Sequence, residues 1–366
     1  MKHLKDYEKE LNKCSKCGLC QAACPLFQIS KNDCTVSKGK FVMLHGVTKG
    51  DLKLSKNINK YIDLCLRCGK CNLYCPSGID ACEILNVAKH DFVKNKSIFK
   101  ITKFLESKLV FNSIINILSR LTSPFRPERY KVQDSSIKVL YFKGCVNKIF
   151  PNTDKYINKI FSSSDVEIIE PNFDCCGLPF ISHGNLERFE QAARHNIKRL
   201  NCEYDYIISD CASCCDTILN YPKYISDFEI NSGKVINWGN LIAYKDIKFE
   251  FSKPIKVTFH KPCHLPSDIF LKKIFSNCKN VEYVEMENRD NCCGFAGTFA
   301  LKNNKISTIL MKNKAESIIN TNADIVLTSC PACIIGLRCG LKLKGKQNIK
   351  VMSLLEFLAS ADGIKY

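Results

Sequence analysis

Residues 14–25 read CSKCGLCQAACP and residues 65–76 read CLRCGKCNLYCP. One spacing, C-x2-C-x2-C-x3-C-P, therefore occurs twice near the N-terminus. Three thiolates separated by two residues on a tight loop can surround three corners of a cube-shaped iron–sulfur cluster. Zinc is the competing interpretation, but zinc sites are usually built from pairs of ligands rather than from triplets followed by Cys-Pro.

The two runs together predict two cubane [4Fe–4S] clusters. In two-cluster proteins of this kind, the fourth cysteine of each run binds the other cluster. The cofactor-binding cysteines of one cluster are therefore predicted to be Cys14, Cys17, Cys20 and Cys75, and those of the other to be Cys65, Cys68, Cys71 and Cys24.

A second repeat occupies the rest of the chain. Each copy has a single cysteine, then a Cys-Cys-Gly triplet, then a C-x2-C pair, and equivalent cysteines lie 117 to 119 residues apart. The predicted metal-binding cysteines are Cys145, Cys175, Cys176, Cys211 and Cys214 in the first copy and Cys263, Cys292, Cys293, Cys330 and Cys333 in the second. Such equal offsets indicate an internal duplication.

Strand and helix patterns alternate in the same order in both copies. Ile137–Phe142 and Ile255–Phe259 are β-rich runs, and each ends at the first cysteine of its copy. This alternation predicts two α/β domains with mainly parallel sheets. The predicted fold class is α+β multidomain, with an N-terminal helical ferredoxin-type domain for two [4Fe–4S] clusters followed by two duplicated α/β domains.

The domain boundaries follow from these patterns. We predict the ferredoxin-type domain at residues 1–95, a basic amphipathic helix and linker at 96–136, and the α/β domains at 137–250 and 251–366. A basic amphipathic helix is typical of a contact with a membrane surface. Packing of this helix between the domains of its own chain is the alternative.

Five cysteines in each α/β copy exceed the four that a cube needs. Adjacent cysteines such as Cys175 and Cys176 cannot easily bind separate corners of one regular cube, because their side chains start from neighbouring Cα atoms. The residues alone predict a metal–thiolate site of unusual shape. A zinc site with four thiolates and one spare thiol remains an alternative.

Composition restricts the class of protein further. The chain has 24 cysteines among 366 residues. It has no apolar run of membrane-spanning length and no visible secretory signal. Disulfides are rare in the cytosol, so ligand cysteines are expected.

The net charge is +18, but no nucleic-acid motif accompanies it. We expect a cytoplasmic protein without nucleic acid, with a peripheral position on the inner face of the membrane as the alternative.

The whole arrangement resembles a known family. The ferredoxin pair followed by two Cys-Cys-Gly modules is similar to the iron–sulfur subunit of glycolate and lactate oxidases. It is also similar to the C subunit of anaerobic glycerol-3-phosphate dehydrogenase and to the cysteine-rich (CCG-domain) subunit of heterodisulfide reductase. The resemblance includes residues 37–41 (SKGKF), which lie between the two ferredoxin runs.

The resemblance implies one or two non-cubane [4Fe–4S] clusters. In heterodisulfide reductases the CCG module binds such a cluster through five cysteines. Both copies here keep all five, which favours the reductase. The residues around them, such as residues 293–299 (CGFAGTF) and 329–333 (SCPAC), read closer to the lactate and glycolate group.

No dinucleotide fingerprint, P-loop or nucleophile elbow occurs in the sequence. Hydride removal from a 2-hydroxy acid needs a flavin or nicotinamide. We therefore expect an oxidoreductase subunit that is not active alone and that carries electrons from a flavoprotein dehydrogenase partner to a quinone or another carrier. A disulfide reductase is the second hypothesis, and a zinc or iron–sulfur redox sensor without turnover is the third. No catalytic residue is predicted.

Structural roles are predicted for most of the remaining candidate residues. His260 and His264 flank Cys263 and can tune a cluster by hydrogen bonding, but a structural role is the default. Trp238 is expected in the core. Cys215 adjoins a predicted ligand and can substitute for it. The other unassigned cysteines are expected to be buried apolar residues, and they are Cys34, Cys82, Cys202, Cys278 and Cys339.

Overall fold

The N-terminal part of the chain is helical. A computed structural model describes residues 2–94, 137–148 and 152–366. The helices of its first range are α1 (Glu8–Asn12), α2 (Leu19–Ala23), α3 (Pro25–Ser30), α4 (Ser37–Lys49), α5 (Lys56–Asp63), α6 (Lys70–Leu73) and α7 (Ala81–Lys94), with 3-10 turns at Leu4–Tyr7 and Asp33–Thr35. Pro25 is the first residue of α3, where its missing N–H is not needed. The Ser55 side chain caps α5 by accepting from the backbone N–H of Ile58.

The first α/β domain contains a four-stranded parallel sheet. Its elements are β1 (Ile137–Tyr141), α8 (Thr153–Phe161), β2 (Val166–Ile169), α9 (Leu178–Ser182), α10 (Leu186–Ile197), β3 (Tyr206–Ser209), α11 (Ala212–Leu219), β4 (Val235–Asn237) and α12 (Trp238–Tyr244), with 3-10 turns at Tyr221–Lys223 and Ser232–Lys234. The strand order is β2-β1-β3-β4, and every pairing is parallel. The order reverses between β1 and β3, so a crevice forms at the carboxyl ends of these two strands.

The second α/β domain repeats this topology. Its elements are β5 (Lys248–Phe259), α13 (Phe270–Ser276), β6 (Cys278–Tyr283), α14 (Thr298–Lys302), α15 (Asn304–Ile319), β7 (Ile325–Thr328), α16 (Pro331–Leu343), β8 (Lys350–Ser353), α17 (Leu354–Ala359) and β9 (Gly363–Lys365). The order is β6-β5-β7-β8, and β9 pairs antiparallel with β5. The equivalent crevice lies between β5 and β7.

The predicted fold class is confirmed, with two local differences. β5 begins at Lys248 rather than at Ile255, because its first part pairs with β6 on one side and with β9 on the other. The strand β9 itself was not predicted. The predicted helix and linker at 96–136 lie outside the described residues, and the domain boundaries stay predictions.

The two α/β domains pack on each other through equivalent elements. Helix α8 packs on α17, and α12 packs on α13. In the repeat, α8 corresponds to α13 and α12 corresponds to α17. Each contact therefore joins the first helix of one domain to the last helix of the other. Gly239 is required there, since a methyl group on it would lie 2.4 Å from the Phe270 ring. Trp238 is buried beside it, as predicted.

The ferredoxin-type domain is attached to both α/β domains by polar contacts. Lys89 Nζ donates to the carbonyl of Ser182 at 2.8 Å. Lys70 Nζ donates to Asn291 Oδ1 at 2.7 Å. Three domains therefore meet around the cysteines. Among the helices of the described residues, none combines the length and the apolar character needed to cross a membrane.

Candidate metal centres

The first ferredoxin-type motif lies at the surface. Cys14 and Cys17 precede α2, Cys20 is in its first turn, and Cys75 follows α6. Cys17 is exposed, and the other three are partly buried. All four side chains line one small cavity. The structure therefore brings together the four cysteines that were predicted to hold one cluster.

The second motif lies against the second α/β domain. Cys65, Cys68 and Cys71 come from the α5–α6 region, and Cys24 comes from the residue before α3. Burial raises the pKa of Cys71 to about 12, and nearby Cys65 and Cys24 add to this effect. Cys24 and Cys68 pack against an apolar cluster that includes Cys292 of the second α/β domain. The exchange of the fourth cysteine between the two motifs is thus compatible with the geometry.

A buried lysine lies beside the second motif. Lys40 is only 2% exposed, and its Nζ donates to the carbonyl of Leu64 at 2.6 Å. Burial raises the pKa of Cys65, but the positive charges of Lys40 and Arg67 outweigh burial and hold that pKa below its ordinary value. Cations at this point favour the thiolate, which is the form that binds metal.

The first Cys-Cys-Gly site forms at the β1–β3 crevice. The Sγ atoms of Cys145 and Cys175 lie 3.5 Å apart. Side-chain hydrogen bonds then join Cys175 to Cys176, Cys176 to Cys214 and Cys214 to Cys211. The glycine of the triplet is required: Gly177 has φ of +95°, and a methyl group there would lie 2.6 Å from the Phe189 ring.

The second Cys-Cys-Gly site repeats this chain of thiols. Cys293 and Cys333 have Sγ atoms 3.5 Å apart. Side-chain hydrogen bonds join Cys263 to Cys292, Cys292 to Cys293 and Cys333 to Cys330. Hydrogen bonds from Cys292 and Cys333 hold the pKa of Cys293 well below its ordinary value. Each site therefore connects five thiols in one line.

The two lines of thiols meet end to end. The thiols of Cys211 and Cys330 lie close enough to shift each other's pKa, and Ala212 donates its N–H to the carbonyl of Ser329 at 3.0 Å. At the other end, burial and then the charge of nearby Cys263 raise the pKa of Cys68 well above its ordinary value. The ten thiols form a continuous row, called the thiol row below, that starts beside the second ferredoxin motif.

His264 connects the three domains at this point. Its Nε2 lies 2.8 Å from the carbonyl of Arg67, and its Nδ1 lies 2.9 Å from Ser213 Oγ. Burial lowers the pKa of His264, but the charges of Cys263 and Asp216 outweigh it and raise that pKa to about 9. This histidine is therefore fully engaged by partners in both other domains.

A cavity of about 360 Å³ opens at the same junction. It is lined by residues of all three domains, including Cys68, Cys263, His264, Lys223 and Tyr224. That volume is at the lower end of the range for small-ligand sites. A small molecule in this cavity would touch the end of the thiol row.

The donor sets fit iron–sulfur clusters. All 24 cysteines are free thiols and lie in the described residues, so the structure contains no disulfide framework. Neighbouring thiols in sets of four and five satisfy the demand of such clusters for thiolate ligands, and a set of five exceeds what a tetrahedral zinc ion uses. The assignment of individual cysteines as ligands stays a prediction.

The prediction that all remaining cysteines are buried was wrong for two of them. Cys202 and Cys339 are exposed rather than buried. The Cys215 thiol donates to the carbonyl of Ile236 at 3.4 Å, so it does not join the thiol row. Burial raises its pKa to about 12. The position of Lys40 at the site was not predicted from the sequence. Lys40 precedes the apolar residue Phe41 on α4, and this neighbour was a sign that the lysine is buried.

Comparison with known families agrees with this geometry. The model of the 4Fe-4S dicluster domain matches residues 10–79. The model of the CCG cysteine-rich domain matches twice, at residues 139–218 and 257–338. The chain is therefore an iron–sulfur protein that combines one 4Fe-4S dicluster domain with two CCG domains.

Among named relatives, the chain is similar to the B subunit of the fumarate reductase (CoM/CoB) of Methanothermobacter marburgensis. The identity is 28%, over 97% of this chain and 74% of the relative. It is 22% identical to the probable glycolate oxidase iron-sulfur subunit of Bacillus subtilis, over 98% of this chain and 95% of the relative. It is 28% identical to lactate utilization protein A of Bacillus cereus, over 61% of this chain and 99% of the relative.

A solved structure shares the fold. The crystal structure of a hypothetical protein from Helicobacter pylori matches 90% of this chain and 68% of its own, with a TM-score of 0.51 and 10% identity. The family matches and the named relatives confirm the predicted resemblance to the glycolate- and lactate-type iron–sulfur subunits, and they confirm that the domains are of iron–sulfur type.

Proposed function

We propose that the chain is the iron–sulfur electron-transfer subunit of a flavoprotein 2-hydroxy-acid dehydrogenase of the glycolate or lactate type. The observation that carries the proposal is the continuous series of cysteine sets, which runs from exposed Cys17 through the second motif to the thiol row. Similarity to a probable glycolate oxidase subunit over nearly the full length of both chains supports the substrate class.

The first motif is the proposed entry point for electrons. Bound [4Fe–4S] clusters would accept and release single electrons. Only at this motif does the chain expose a predicted ligand, Cys17. Leu19 and Tyr74 line the same cavity and are 49% and 56% exposed. Exposed apolar side chains around a redox site suit docking of a partner protein.

The second motif is the proposed internal acceptor. Lys40 and Arg67 place positive charge against Cys65. Positive charge near a bound cluster would make an added electron less costly, which favours electron transfer to the inner set. This charge directs electrons inward, from the partner's flavin towards the thiol row. A quinone or another carrier would then take them, and contact with a membrane through residues 96–136 stays a prediction.

The first test is metal content and partner reduction. Anaerobically purified protein should contain roughly sixteen iron and sixteen sulfide per chain if both motifs and both Cys-Cys-Gly sites are filled, at four each per cluster. Zinc in place of iron would exclude electron transfer. Mixed with its flavoprotein partner and glycolate or lactate, the protein should show reduced-cluster EPR signals within the partner's turnover time.

A matched pair of surface variants tests the docking site. Leu19→Asp should raise the concentration of this subunit needed for half-maximal flavoprotein turnover by roughly tenfold, because it places a charge at the interface. Ile269→Asp is the control, since Ile269 is 80% exposed on the second α/β domain. Equal behaviour of the two variants would contradict entry at the first motif.

Disulfide reduction is the second candidate function. The cavity beside Cys263 and the complete five-thiol sets favour it, and one relative is named as part of a fumarate reductase (CoM/CoB). A disulfide would gain two electrons and two protons and leave as two thiols. Viologen-reduced protein, without any flavoprotein, should then release thiols from a small disulfide catalytically. Reduction of the clusters by a flavoprotein without any thiol release would support the first candidate instead.

A further inference from the structure

The two Cys-Cys-Gly sites differ at the position three residues before their first cysteine. Phe142 stands three residues before Cys145, and His260 stands three residues before Cys263. The backbone is the same at both: Phe142 donates its N–H to Ile208, and His260 donates its N–H to Leu327. The duplicated fold therefore places a phenyl ring in one site and an imidazole in the other.

Phe142 is an ordinary core residue. Its ring packs against Phe173 with centroids 4.9 Å apart, and it is 1% exposed. Nothing in the first site needs a polar group at this position. The first site therefore has no imidazole at this position.

The imidazole of His260 is buried beside the second site. The ring is fully buried, and neither Nδ1 nor Nε2 makes a hydrogen bond of ordinary geometry in the described residues, although the backbone of Arg289 lies close to the ring. An unpaired polar group in the interior destabilises the folded state. A ring nitrogen, Cys293 Sγ and Cys333 Sγ all lie within 4.8 Å of one another. One of the two ring nitrogens thus lies at the thiols of the second site.

The neighbouring histidine has no such freedom. Both ring nitrogens of His264 have partners, Arg67 and Ser213. Burial and unpaired nitrogens therefore single out His260. Neutral imidazole nitrogen is a common metal ligand, and its N–H is a donor for thiolate and sulfide sulfur.

We propose that a ring nitrogen of His260 directly contacts the metal–sulfur group of the second site, and that the first site has no equivalent contact. This inference rests on the proposed function only in requiring that the second site holds metal. A neutral nitrogen donor makes a site easier to reduce than thiolates alone do. The second site is then the better electron acceptor, at the end of the row that adjoins Cys68 and the cavity.

The test uses the reduced, cluster-loaded protein with ¹⁵N-labelled histidine. Pulsed EPR should show a histidine nitrogen coupled to the signal of the second site. A strong coupling identifies an iron ligand and a weak one identifies an N–H···S hydrogen bond; both support the contact. This part needs no variant, so it does not depend on how a variant folds.

Two variants assign the nitrogen. His260→Phe copies the first site and should abolish the coupling, while lowering the midpoint potential of the second site towards that of the first. His264→Gln should retain the coupling. Loss of coupling in His264→Gln alone, or a filled second site without any histidine coupling, overturns the inference. A second site that holds no metal overturns this inference together with the metal assignment, and iron and sulfide analysis of the same sample distinguishes the two failures.

Discussion

The two ferredoxin-type motifs have the same cysteine spacing but opposite surroundings. The first exposes Cys17 and lies at the surface with Leu19 and Tyr74. The second packs against Cys292 of another domain and has buried Lys40 beside it. Sequence spacing determines which cysteines come together, whereas packing determines whether a set of cysteines faces solvent or another domain. One motif is suited to meet a partner and the other to pass electrons inside the molecule.

Removing one ligand from each motif is the strongest way to test this contrast. Cys17→Ser and Cys68→Ser should each lose about four iron per chain. In Cys68→Ser the Cys-Cys-Gly sites should no longer be reduced by the partner, although the first motif still is. In Cys17→Ser neither should be reduced by the partner. Iron analysis and EPR after mixing with the reduced partner provide the readout. Normal reduction of the Cys-Cys-Gly sites in Cys68→Ser would show that electrons bypass the second motif.

Chelator access should separate the motifs in the unaltered protein. The first motif needs little local opening to release iron, so its iron should leave roughly tenfold faster than that of the second. Iron release into a coloured chelator should be biphasic, and EPR taken between the phases should show which signal has gone. A single phase would mean that the two motifs are equally protected.

The charge of Lys40 sharpens the comparison energetically. Lys40→Met should lower the midpoint potential of the second motif by roughly 50–100 mV, because a buried charge a few ångströms away acts through a moderate dielectric. The control is Lys38→Met. Lys38 lies near the first motif, and its charge is paired with Asp33 at 3.3 Å and partly exposed, so its removal should shift the potential of the first motif less. Equal shifts in a redox titration would count against the buried cation.

The smallest expected effect concerns the ion pair between Asp80 and Lys223, which attaches the ferredoxin-type domain to the first α/β domain at 2.5 Å. Asp80→Asn should reduce the free energy of unfolding by about 1 kcal/mol at neutral pH. Burial lowers the pKa of Lys223, but Asp80 outweighs it and raises that pKa above its ordinary 10.5.

A raised lysine pKa means that the contribution of Lys223 to stability is fully present below pH 10.5 and is lost as the pH rises through the folded value. Anaerobic urea unfolding of wild type and Asp80→Asn should therefore converge at high pH. A difference that persists well above pH 10.5 would assign the effect of Asp80 to its other hydrogen bonds, with Asn72 and the backbone of Glu83.

Much of the fold was predictable because its signals are local. The cysteine spacings and the alternating strands and helices follow from residues close in sequence. The strand β9 was not predictable, because its only reason to form is pairing with the start of β5. The extension of β5 back to Lys248 has the same non-local cause.

Which cysteines belong to one set was predictable from the sequence, but the arrangement of the sets was not. Spacing could group Cys211 with Cys214 and Cys330 with Cys333, but only the packing of the domains brings Cys211 to Cys330. The special status of His260 was also hidden, since His260 and His264 look alike in sequence. Hydrogen-bond partners, which depend on the ferredoxin-type domain and the first α/β domain, distinguish them.

Helix α8 packs on α17, and the equivalent helix α13 packs on α12. A twofold axis between the two domains would relate these contacts. The contact of Cys211 with Cys330 lies on the same symmetry, because these are equivalent residues of the two copies. In a symmetric dimer, each protomer offers the same patch to the other. A single-copy ancestor could have formed this interface with a second molecule of itself. Fusion of the two copies then freed each half to change alone, as Phe142 and His260 have done.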